Sequence, residues 1–530
     1  MSSQDQIWPG ARTRTFGVEF ELLFPWLFVG EPDPHKDDAD KLPPILRPQV
    51  PDEMRESYQR GEVWHANEIQ ANLYDGVAEV LKQQGLPTGV DMFDTGDFDA
   101  SHWILKSDPS ISEIGEDIGY KWFGVEITSP AERASPEAFQ AICHTLKLLT
   151  SNFRMRANRS CGMHVHVGDG AEFMPLEHIR RVVSFFWAAD PLISCLHPPR
   201  RRTNRFSQSI RERSRLANGL KPDNMVASMH DSAPLKSCIR YIGNDTRHGE
   251  EPISWRQQNK EQQHIAAFEE TRQPGNFEPF SSSQKQDAQK DTGDDIKMDD
   301  LFEWLRARIA KPIKDDDDLE GLKVRIAKTE ASIDKGSITP NTPYTSTRKR
   351  LVSRRFAHPR FVPEDEEIEK PKPLPKKAER DLGVFPGIEA IFSSPSSCVV
   401  NWLHQGNNVS ERPNYNITPY SCWNLGRIDP DRPRTIEFRG AEGTTSGEWA
   451  EMWARICVGL THFAIHAPVE NYLSVLLNIN SAASEGGAYD VIDLLDEVGL
   501  FAEAEFAERR LMENKEDFRL MFQKRNFVPI

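Results

Sequence analysis

Four short stretches of the chain alternate apolar and ionisable residues, and this period of two limits the fold more than any other feature. Successive side chains of a β-strand point to opposite faces, so each stretch predicts a strand with one apolar face and one ionisable face. An antiparallel sheet with helices on one side and an open polar side fits this pattern. The stretches are TFGVEFELL (15–23), WFGVEITSP (122–130), GMHVHVG (162–168) and RTIEFRG (434–440).

Helices are predicted between the strands from capping residues and apolar spacing. Ser135 is expected to cap a helix with Pro136 in its first turn, and Thr445 with Glu448 to form the capping box of another. A helix after the histidine stretch is expected to stop at Pro191, because proline lacks the helical N–H donor. The predicted fold class is α+β: a mainly antiparallel sheet with helices packed on one face and an open polar catalytic face, interrupted by long disordered insertions.

Changes in composition along the chain predict its domain organisation. The hydrophobic fraction of 38% is low for a compact enzyme, which indicates a folded part diluted by polar segments. Residues 245–380 are rich in charge, Gln and Pro and are predicted to be a charged, mostly disordered insertion, with one short helix at 298–313. The catalytic domain is predicted in two parts around it, with a helical segment after them. Their ranges are 12–244, which contains a polar insertion at 31–60, then 381–467 and 468–530.

Charge and cysteine content exclude several classes of protein. The 530 residues carry a formal net charge of -16, which argues against binding nucleic acid or anionic membranes, since both need a basic surface. The basic run RKRLVSRR (348–355) is interpreted as a solvated part of the insertion. Seven cysteines without CxxC pairs predict neither a disulfide framework nor a structural zinc module. With no signal-peptide pattern, a cytoplasmic location is expected and a nuclear one stays open.

The ionisable faces of the four strands predict a metal and anion site. If the strands share one sheet, four carboxylates, two imidazoles and a guanidinium gather on one face, and such closely spaced acids need a countercharge that divalent cations supply. Oxygen-rich surroundings favour Mg²⁺ or Mn²⁺ over zinc. A planar guanidinium suits phosphate, so nucleotide phosphates are expected there too. The residues are Glu19, Glu21, Glu126, His164, His166, Glu437 and Arg439.

Other residues near these stretches have two interpretations each. Asp108 in KSDPS either contacts an acceptor or starts a turn, and Asn158 and Ser160 either shape the site loop or satisfy backbone groups. Arg434, like Arg427, either assists the phosphates or lies idle on the surface. Cys161 is interpreted as a small buried thiol rather than a nucleophile, because no separate base accompanies it.

The motifs together resemble the amidoligase family, in particular its fungal members. These are ATP-dependent carboxylate-amine ligases with a glutamine-synthetase-like catalytic fold. The resemblance covers roughly residues 12–190 and 385–465, and NRSCGMHVH also resembles a stretch of glutamine synthetases. The motifs that carry it are FGVEFEL, WILKSDPSI, GVEITSP, NRSCGMHVHVG and RTIEFRGAEGTTSGEWAEMWARICVGL.

The resemblance implies a reaction in which ATP phosphorylates a carboxylate and an amine then attacks the acyl phosphate to give an amide. It implies that Glu19 and Glu21 hold two divalent cations and that Glu126 completes the first or bridges both. His164 and Glu437 would bind the second cation.

The remaining implied roles concern the nucleotide and the acceptor. His166 would contact the nucleotide phosphates, Arg439 would neutralise the transferred phosphoryl group, and Asp108 would touch the amine or acceptor. The chain departs from glutamine synthetases in having one well-placed glutamate, Glu126, on its middle metal strand, with Glu113 and Glu116 as substitutes. The insertion at 245–380 falls where acceptor-binding elements could lie, so no substrate is carried over beyond small-molecule or peptide carboxylates and amines.

Two rival functions remain at this stage. A metal-dependent amidohydrolase would use the HxH pair with zinc and need no nucleotide, but it leaves the paired glutamates and Arg439 unexplained. A catalytically inactive ligase-like scaffold would use the charged insertion to recruit protein partners.

Overall fold

The structure, a computed structural model, divides the described chain into two compact units. The first comprises Met1–Gly170, His197–Ser207 and Thr435–Leu460, and the second comprises Ala171–Leu196, Gln208–Arg434 and Thr461–Ile530. The described residues are 14–35, 42–62, 66–92, 101–113, 119–170, 174–198, 201, 204–222, 350, 382–394, 396–406, 412–420, 434–482 and 489–513.

The first unit contains the four predicted strands in one sheet. Its strands are β1 (Thr15–Trp26), β2 (Thr88–Asp91), β3 (Trp103–Lys106), β4 (Lys121–Thr128), β5 (Glu132–Arg133), β6 (Gly162–Gly168) and β8 (Thr435–Glu442). They are ordered β2-β3-β4-β1-β6-β8, and β5 pairs with β1. All these pairs are antiparallel except β2 with β3, which confirms a mostly antiparallel sheet in an α+β protein.

Alternation along β1 places apolar side chains on the core side of the sheet. Val18, Phe20 and Leu22 are fully buried, while the two glutamates between them point to the opposite face. Phe16 stacks on Phe139 of α3 (Pro136–Asn152) with ring centroids 4.5 Å apart. The sheet therefore buries one face against a helix and leaves the other to polar chemistry. The unit also contains α1 (Asp52–Gln59), within the predicted polar insertion, and α2 (Ala66–Gln83).

Two helix starts were predicted from capping residues, and one of them is wrong. Ser135 Oγ accepts a hydrogen bond from the Ala138 amide at 3.1 Å, which confirms the predicted cap of α3. The later helix, α8 (Gly447–His466), is capped by Ser446 instead of Thr445: Ser446 Oγ accepts the Trp449 amide at 3.2 Å. Thr445 and Ser446 are neighbours in the run TTSGE, and the backbone places the Ser446 hydroxyl within hydrogen-bond distance of the Trp449 amide.

The second unit is helical and corrects the predicted end at Pro191. The helix α4 (Leu176–Ile193) continues through this proline. Proline removes one N–H donor and leaves the carbonyl four residues earlier without its helical partner. That carbonyl, of Trp187, accepts a hydrogen bond from Arg211 Nη1 at 3.2 Å. A buried guanidinium thus replaces the missing donor.

The other elements of the second unit are 14 residues long or shorter. The described part of the predicted helical segment 468–530 contains three helices. In chain order the unit has α5 (Ile210–Arg213), α6 (Val384–Ser393), α7 (Ser397–His404), β7 (Tyr415–Asn416), α9 (Val469–Ala482), α10 (Val491–Glu497) and α11 (Phe501–Glu513).

The predicted helix at 298–313 and, apart from Arg350, the insertion at 245–380 lie outside the described residues. None of the helices in the described part combines the length and apolar character needed to cross a bilayer.

Candidate functional site

The register of the sheet brings the ionisable side chains of separate strands together. Glu19 of β1 lies opposite His164 of β6, and Glu21 lies opposite Glu126 of β4. His166 of β6 lies opposite Glu437 of β8. Directly opposed residues have Cβ atoms about 4.5–5.5 Å apart, so these pairs form one continuous polar band across four strands.

One end of the band is a cluster of Glu19, His164 and Glu437. Each offers a ligand atom within 4.8 Å of the other two. His164 Nδ1 lies 3.0 Å from Glu19 Oε2 and 3.5 Å from Glu437 Oε1. His166 lies beside the cluster, with Nε2 3.2 Å from Glu19 Oε1 and Nδ1 3.0 Å from Thr435 Oγ1.

A second cluster adjoins the first and contains carboxylates only. Glu21, Asp108 and Glu126 offer oxygen atoms within 4.8 Å of one another. His164 Nε2 lies 3.4 Å from Glu21 Oε1 and connects the two clusters. Lys106 Nζ lies 3.9 Å from Glu126 Oε1 at the outer edge.

The pKa values of the carboxyl groups shift in opposite directions in the two clusters. Burial, with the negative charge of Glu19, raises the pKa of Glu126 to about 8 despite the nearby Lys106. Burial would raise the pKa of Glu19 as well, but the charge of His166 and hydrogen bonds from both imidazoles hold it well below its usual value. The second cluster therefore carries a carboxyl group that keeps a proton at neutral pH unless a cation replaces it.

His166 and Arg439 provide positive charge beside the first cluster. Burial favours a neutral His166, yet Glu19 and Glu437 raise the pKa of this imidazole to about 9. Glu437 is also buried, and Arg439 with His166 lowers its pKa. In the metal-free protein the imidazolium and guanidinium neutralise these carboxylates; a bound cation would take over that role and leave His166 and Arg439 for a ligand that brings negative charge.

The donor set fits a hard divalent cation. Five carboxylates and one imidazole converge, and oxygen-rich sites of this kind suit Mg²⁺ or Mn²⁺. The buried Nε2 atom of His164 has no hydrogen-bond partner among the described residues, and a bound cation would occupy its lone pair. The residues that could hold cations are therefore those of the two clusters.

Two cationic side chains lie at the end of the site on β8. Arg439 forms an ion pair with Glu437, and its Nε donates to the Phe206 carbonyl at 3.2 Å. Arg201 is buried and donates to the carbonyls of Arg439 at 3.0 Å and Cys161 at 3.4 Å. Burial lowers the pKa of Arg201, although the charge of Glu21 opposes this effect.

Neither Arg201 nor Lys106 was predicted as a site residue from the sequence. Arg201 lies in the run PPRRRTNR, where nothing distinguishes one arginine from its neighbours. Lys106 belongs to WILKSDPSI and lies opposite Glu126 in the pairing of β3 with β4, a register that alternation along the strand does not reveal. Both residues add positive charge to a face that the sequence predicts as mainly acidic.

The loop before β6 is organised by short polar contacts. Asn158 Oδ1 accepts the amide of Ser160, and Ser160 Oγ donates to the Ser112 carbonyl at 2.9 Å, so both residues satisfy backbone groups as one interpretation expected. The loop ends where the Gly162 amide donates to Glu21 Oε2 at 2.5 Å. It therefore orients a carboxylate of the second cluster.

Cys161 lies in the same loop. Burial raises the pKa of its thiol to about 11, which agrees with the interpretation of Cys161 as a small buried side chain. A thiol of this kind carries almost no thiolate at neutral pH.

The remaining candidate residues each make different contacts. Asp108 Oδ1 accepts the Ser110 amide at 2.7 Å, a turn contact, while Asp108 also belongs to the second cluster. Glu113 forms an ion pair with Arg156, whose guanidinium lies over the Trp122 ring, and this contact is separate from the clusters. The Arg434 carbonyl accepts a hydrogen bond from Tyr420 Oη at 2.9 Å. Glu116 and Arg427 lie outside the described residues.

Comparison with known proteins identifies the class to which this part of the chain belongs. Residues 12–233 match a family model described as "Putative amidoligase enzyme". Over this range, which is less than half of the chain, the sequence is similar to the amidoligase family, and the match points to an enzyme of the ligase type. The matched range contains every described strand of the first unit except β8, which supplies Glu437 and Arg439. No curated protein and no solved structure matches the chain.

Proposed function

We propose that the protein is an ATP-dependent carboxylate-amine ligase that forms an amide bond through an acyl phosphate. The observation that carries this proposal is the pair of adjoining acidic clusters on one sheet face, with an arginine at one end. Phosphoryl transfer depends mainly on positioning and charge neutralisation, and this face supplies both. The family match supports a ligase-type enzyme.

Two divalent cations, Mg²⁺ or Mn²⁺, are proposed to bind the two clusters. Glu19, His164 and Glu437 would hold one, and Glu21, Asp108 and Glu126 the other. Bound cations would neutralise the charge of the nucleotide phosphates and of the transferred phosphoryl group.

The protein's own residues are proposed to orient the first half-reaction. A carboxylate oxygen of the acid substrate attacks the γ-phosphorus of ATP, the bond to the β–γ bridging oxygen breaks, and ADP leaves. His166 contacts the phosphates through its imidazole, and the Arg439 guanidinium turns its donors towards the transferred group. Arg434, which directly precedes β8, is proposed as a further contact of the phosphates.

The second half-reaction needs an amine close to the acyl phosphate. The amine nitrogen attacks the acyl carbon, inorganic phosphate leaves, and the nitrogen loses a proton. Asp108 is proposed to position the amine through a carboxylate oxygen that is not bound to the cation of the second cluster, since such an oxygen attracts a cationic ammonium group before deprotonation. The acid and amine are proposed to be small molecules or peptides.

Calorimetric titration with ATP, in the presence and absence of Mg²⁺, tests the proposal. We expect magnesium-dependent binding that is lost in Glu19→Gln. Absence of ATP binding with every divalent cation would contradict the ligase. Hydrolysis of amides by a zinc-loaded, nucleotide-free sample would instead support an amidohydrolase, and loss of both activities would support the scaffold.

A further inference from the structure

The side chain of Arg201 fills a space on the polar face of the sheet that β6 leaves open. Gly162 of β6 donates its amide to Glu21 of β1 and lies two residues before His164. A Cβ atom on Gly162 would overlap Arg201 Nη2 and would lie 3.1 Å from His164 Nε2. The guanidinium therefore occupies the space above this glycine, where Arg201 is 4% exposed. A charged group buried so deeply is held by protein contacts rather than by water.

The hydrogen bonds of Arg201 join two segments that carry site residues. Its Nη1 donates to the Cys161 carbonyl, directly before β6, at 3.4 Å, and its Nη2 donates to the Arg439 carbonyl of β8 at 3.0 Å. A guanidinium is planar and its donors have fixed directions, so it fixes the two carbonyls relative to each other. A lysine ammonium would keep the charge, but it is a point charge on a flexible stem and does not reproduce this fork.

The Arg439 carbonyl lies where the pairing of β6 with β8 is irregular. The register shifts between Met163 and Val165, so that two residues of β8, Arg439 and Gly440, face one residue of β6. An extra residue of this kind interrupts the regular ladder of hydrogen bonds and changes the direction of nearby side chains. The hydrogen bond from Arg201 therefore fixes the backbone of Arg439 at the point where the regular ladder is interrupted.

The side chain of Arg439 is held by a residue close to Arg201 in the chain. Arg439 Nε donates to the Phe206 carbonyl at 3.2 Å. Asn204 Oδ1 accepts the Phe206 amide at 2.9 Å, which orients the turn that presents this carbonyl. Arg201 and Phe206 thus contact Arg439 at its carbonyl and at its guanidinium. With both ends fixed, the Arg439 side chain keeps few orientations.

We propose that Arg201 is a positioning residue that holds Arg439 in the orientation needed for phosphoryl transfer. This inference rests on the proposed function, in which the Arg439 guanidinium turns towards the transferred group. Groups that stabilise a transition state act best when they are fixed before the reaction, and a misplacement of about 1 Å costs about a hundredfold in rate. Arg201 donates to backbone carbonyls, so its effect on the reaction passes through Arg439.

The kinetics of phosphate release test the proposal. The assay uses MgATP with a mixture of the common amino acids as the source of acid and amine. We expect Arg201→Lys to lower kcat and kcat/KM for ATP by about tenfold to a hundredfold, and to change KM by less than about threefold, because the affected interaction forms in the transition state. The control is Arg133→Lys, an exposed arginine on β5 of the same sheet, which should change neither. A higher KM at unchanged kcat, or equal kinetics of the two variants, would overturn the proposal.

A double-mutant cycle separates positioning from a purely structural role. The variant that combines Arg201→Lys with Arg439→Lys should lose less kcat than the product of the two separate losses, because the shorter-range contacts of Arg439 are already changed and Arg201 has less to position. A structural defect unrelated to Arg439 would multiply with the effect of Arg439→Lys. A full product of the two losses would therefore overturn the proposal.

Amide exchange tests the contacts of Arg201 independently of any activity. Exchange in residues 437–442 of β8 should be faster in the Arg201→Lys full chain than in the unaltered protein, and unchanged in Arg133→Lys. If the unaltered protein releases no phosphate, the proposed function fails, and exchange alone then decides whether Arg201 fixes β8. Unchanged exchange in Arg201→Lys would overturn the proposal even where turnover falls. If Arg201→Lys does not fold, Asn204→Ala, which removes the hydrogen bond to the Phe206 amide, replaces it in the kinetic tests, where a loss of kcat at constant KM is required.

Discussion

Glu19 and His164 face each other across β1 and β6, with Glu19 Oε2 3.0 Å from His164 Nδ1. This contact directs the other imidazole nitrogen towards Glu21, 3.4 Å away. One histidine therefore lies between the two carboxylate clusters and touches both. The charge of the first cluster also acts on the second, since Glu19 contributes to the raised pKa of Glu126.

Removing one carboxylate from the band should abolish nucleotide turnover. We expect Glu19→Gln and Glu437→Gln to lower ATP turnover by about a hundredfold or more, because a neutral amide binds a divalent cation poorly. Circular dichroism should show the fold intact. The control is Glu132→Gln, an exposed glutamate on β5 of the same sheet. Unchanged phosphate release in either band variant would rule out its metal assignment.

The metal-free protein should lose stability as the pH rises from about 6.5 to 8. The pKa of Glu126 is raised to about 8 and that of His166 to about 9, so in this window the folded state binds more protons than the unfolded state. Stability then falls with rising pH. Thermal melts in a chelator should show this fall, and Glu126→Gln should reduce it.

The same measurement with Mg²⁺ present provides the control. A cation that replaces the proton on Glu126 should flatten the fall in melting temperature, and binding should release protons at pH 7. Calorimetry in two buffers of different ionisation enthalpy measures that release. A melting temperature that rises through the window in chelator would show that the groups titrate in the opposite sense.

A side chain at Gly162 should disturb the site, because it would meet both Arg201 and the proposed ligand His164. A Cβ atom there would lie 2.4 Å from Arg201 Nη2 and 3.1 Å from His164 Nε2. We expect Gly162→Ala to lower the free energy of unfolding by about 1–3 kcal/mol, as overpacking does, and to weaken Mn²⁺ binding. Gly76→Ala is the control, because its Cβ would meet only Leu46 at 3.6 Å. Equal unfolding free energies for the two variants in urea would refute the clash.

Cys161 should resist alkylation in the folded protein. Its thiol is buried and its pKa is raised to about 11, so the reactive thiolate is scarce at neutral pH. Mass spectrometry after brief iodoacetamide treatment should find Cys143, which is partly exposed, modified before Cys161. We also expect Cys161→Ala to retain turnover. Loss of turnover with an unchanged melting temperature would instead indicate a catalytic role for the thiol.

The sequence predicts which face of a strand is polar better than it predicts which strands are neighbours in the sheet. Alternation is a local property, so Glu19 and Glu21 are assigned to the polar side of β1 without knowledge of the sheet. Pairing of β6 with β8 depends on tertiary packing, and only the structure places His166 opposite Glu437. Arg201 was missed for the same reason: its role comes from carbonyls of Cys161 and Arg439, which lie far from it in the chain.

Local rules also failed at the end of one helix and at the start of another. Pro191 is a reliable helix breaker only while nothing else satisfies the carbonyl it leaves unpaired, and Arg211 does so. The cap of α8 was misplaced by one residue because Thr445 and Ser446 are both good caps and only backbone geometry distinguishes them. Neither the Arg211 contact nor the choice of Ser446 as the cap has a signature in the surrounding residues.

The pairing of β6 with β8 has a practical consequence for protein production. His166 and Thr435, which meet across this pair, are 269 residues apart in the chain, and the family segment ends at residue 233. A recombinant fragment limited to that segment would expose the backbone of β6 as a free sheet edge, which promotes aggregation. Co-expression of the fragment with a second one that begins before β8 offers a route to a split enzyme, in which soluble yield itself reports reassembly.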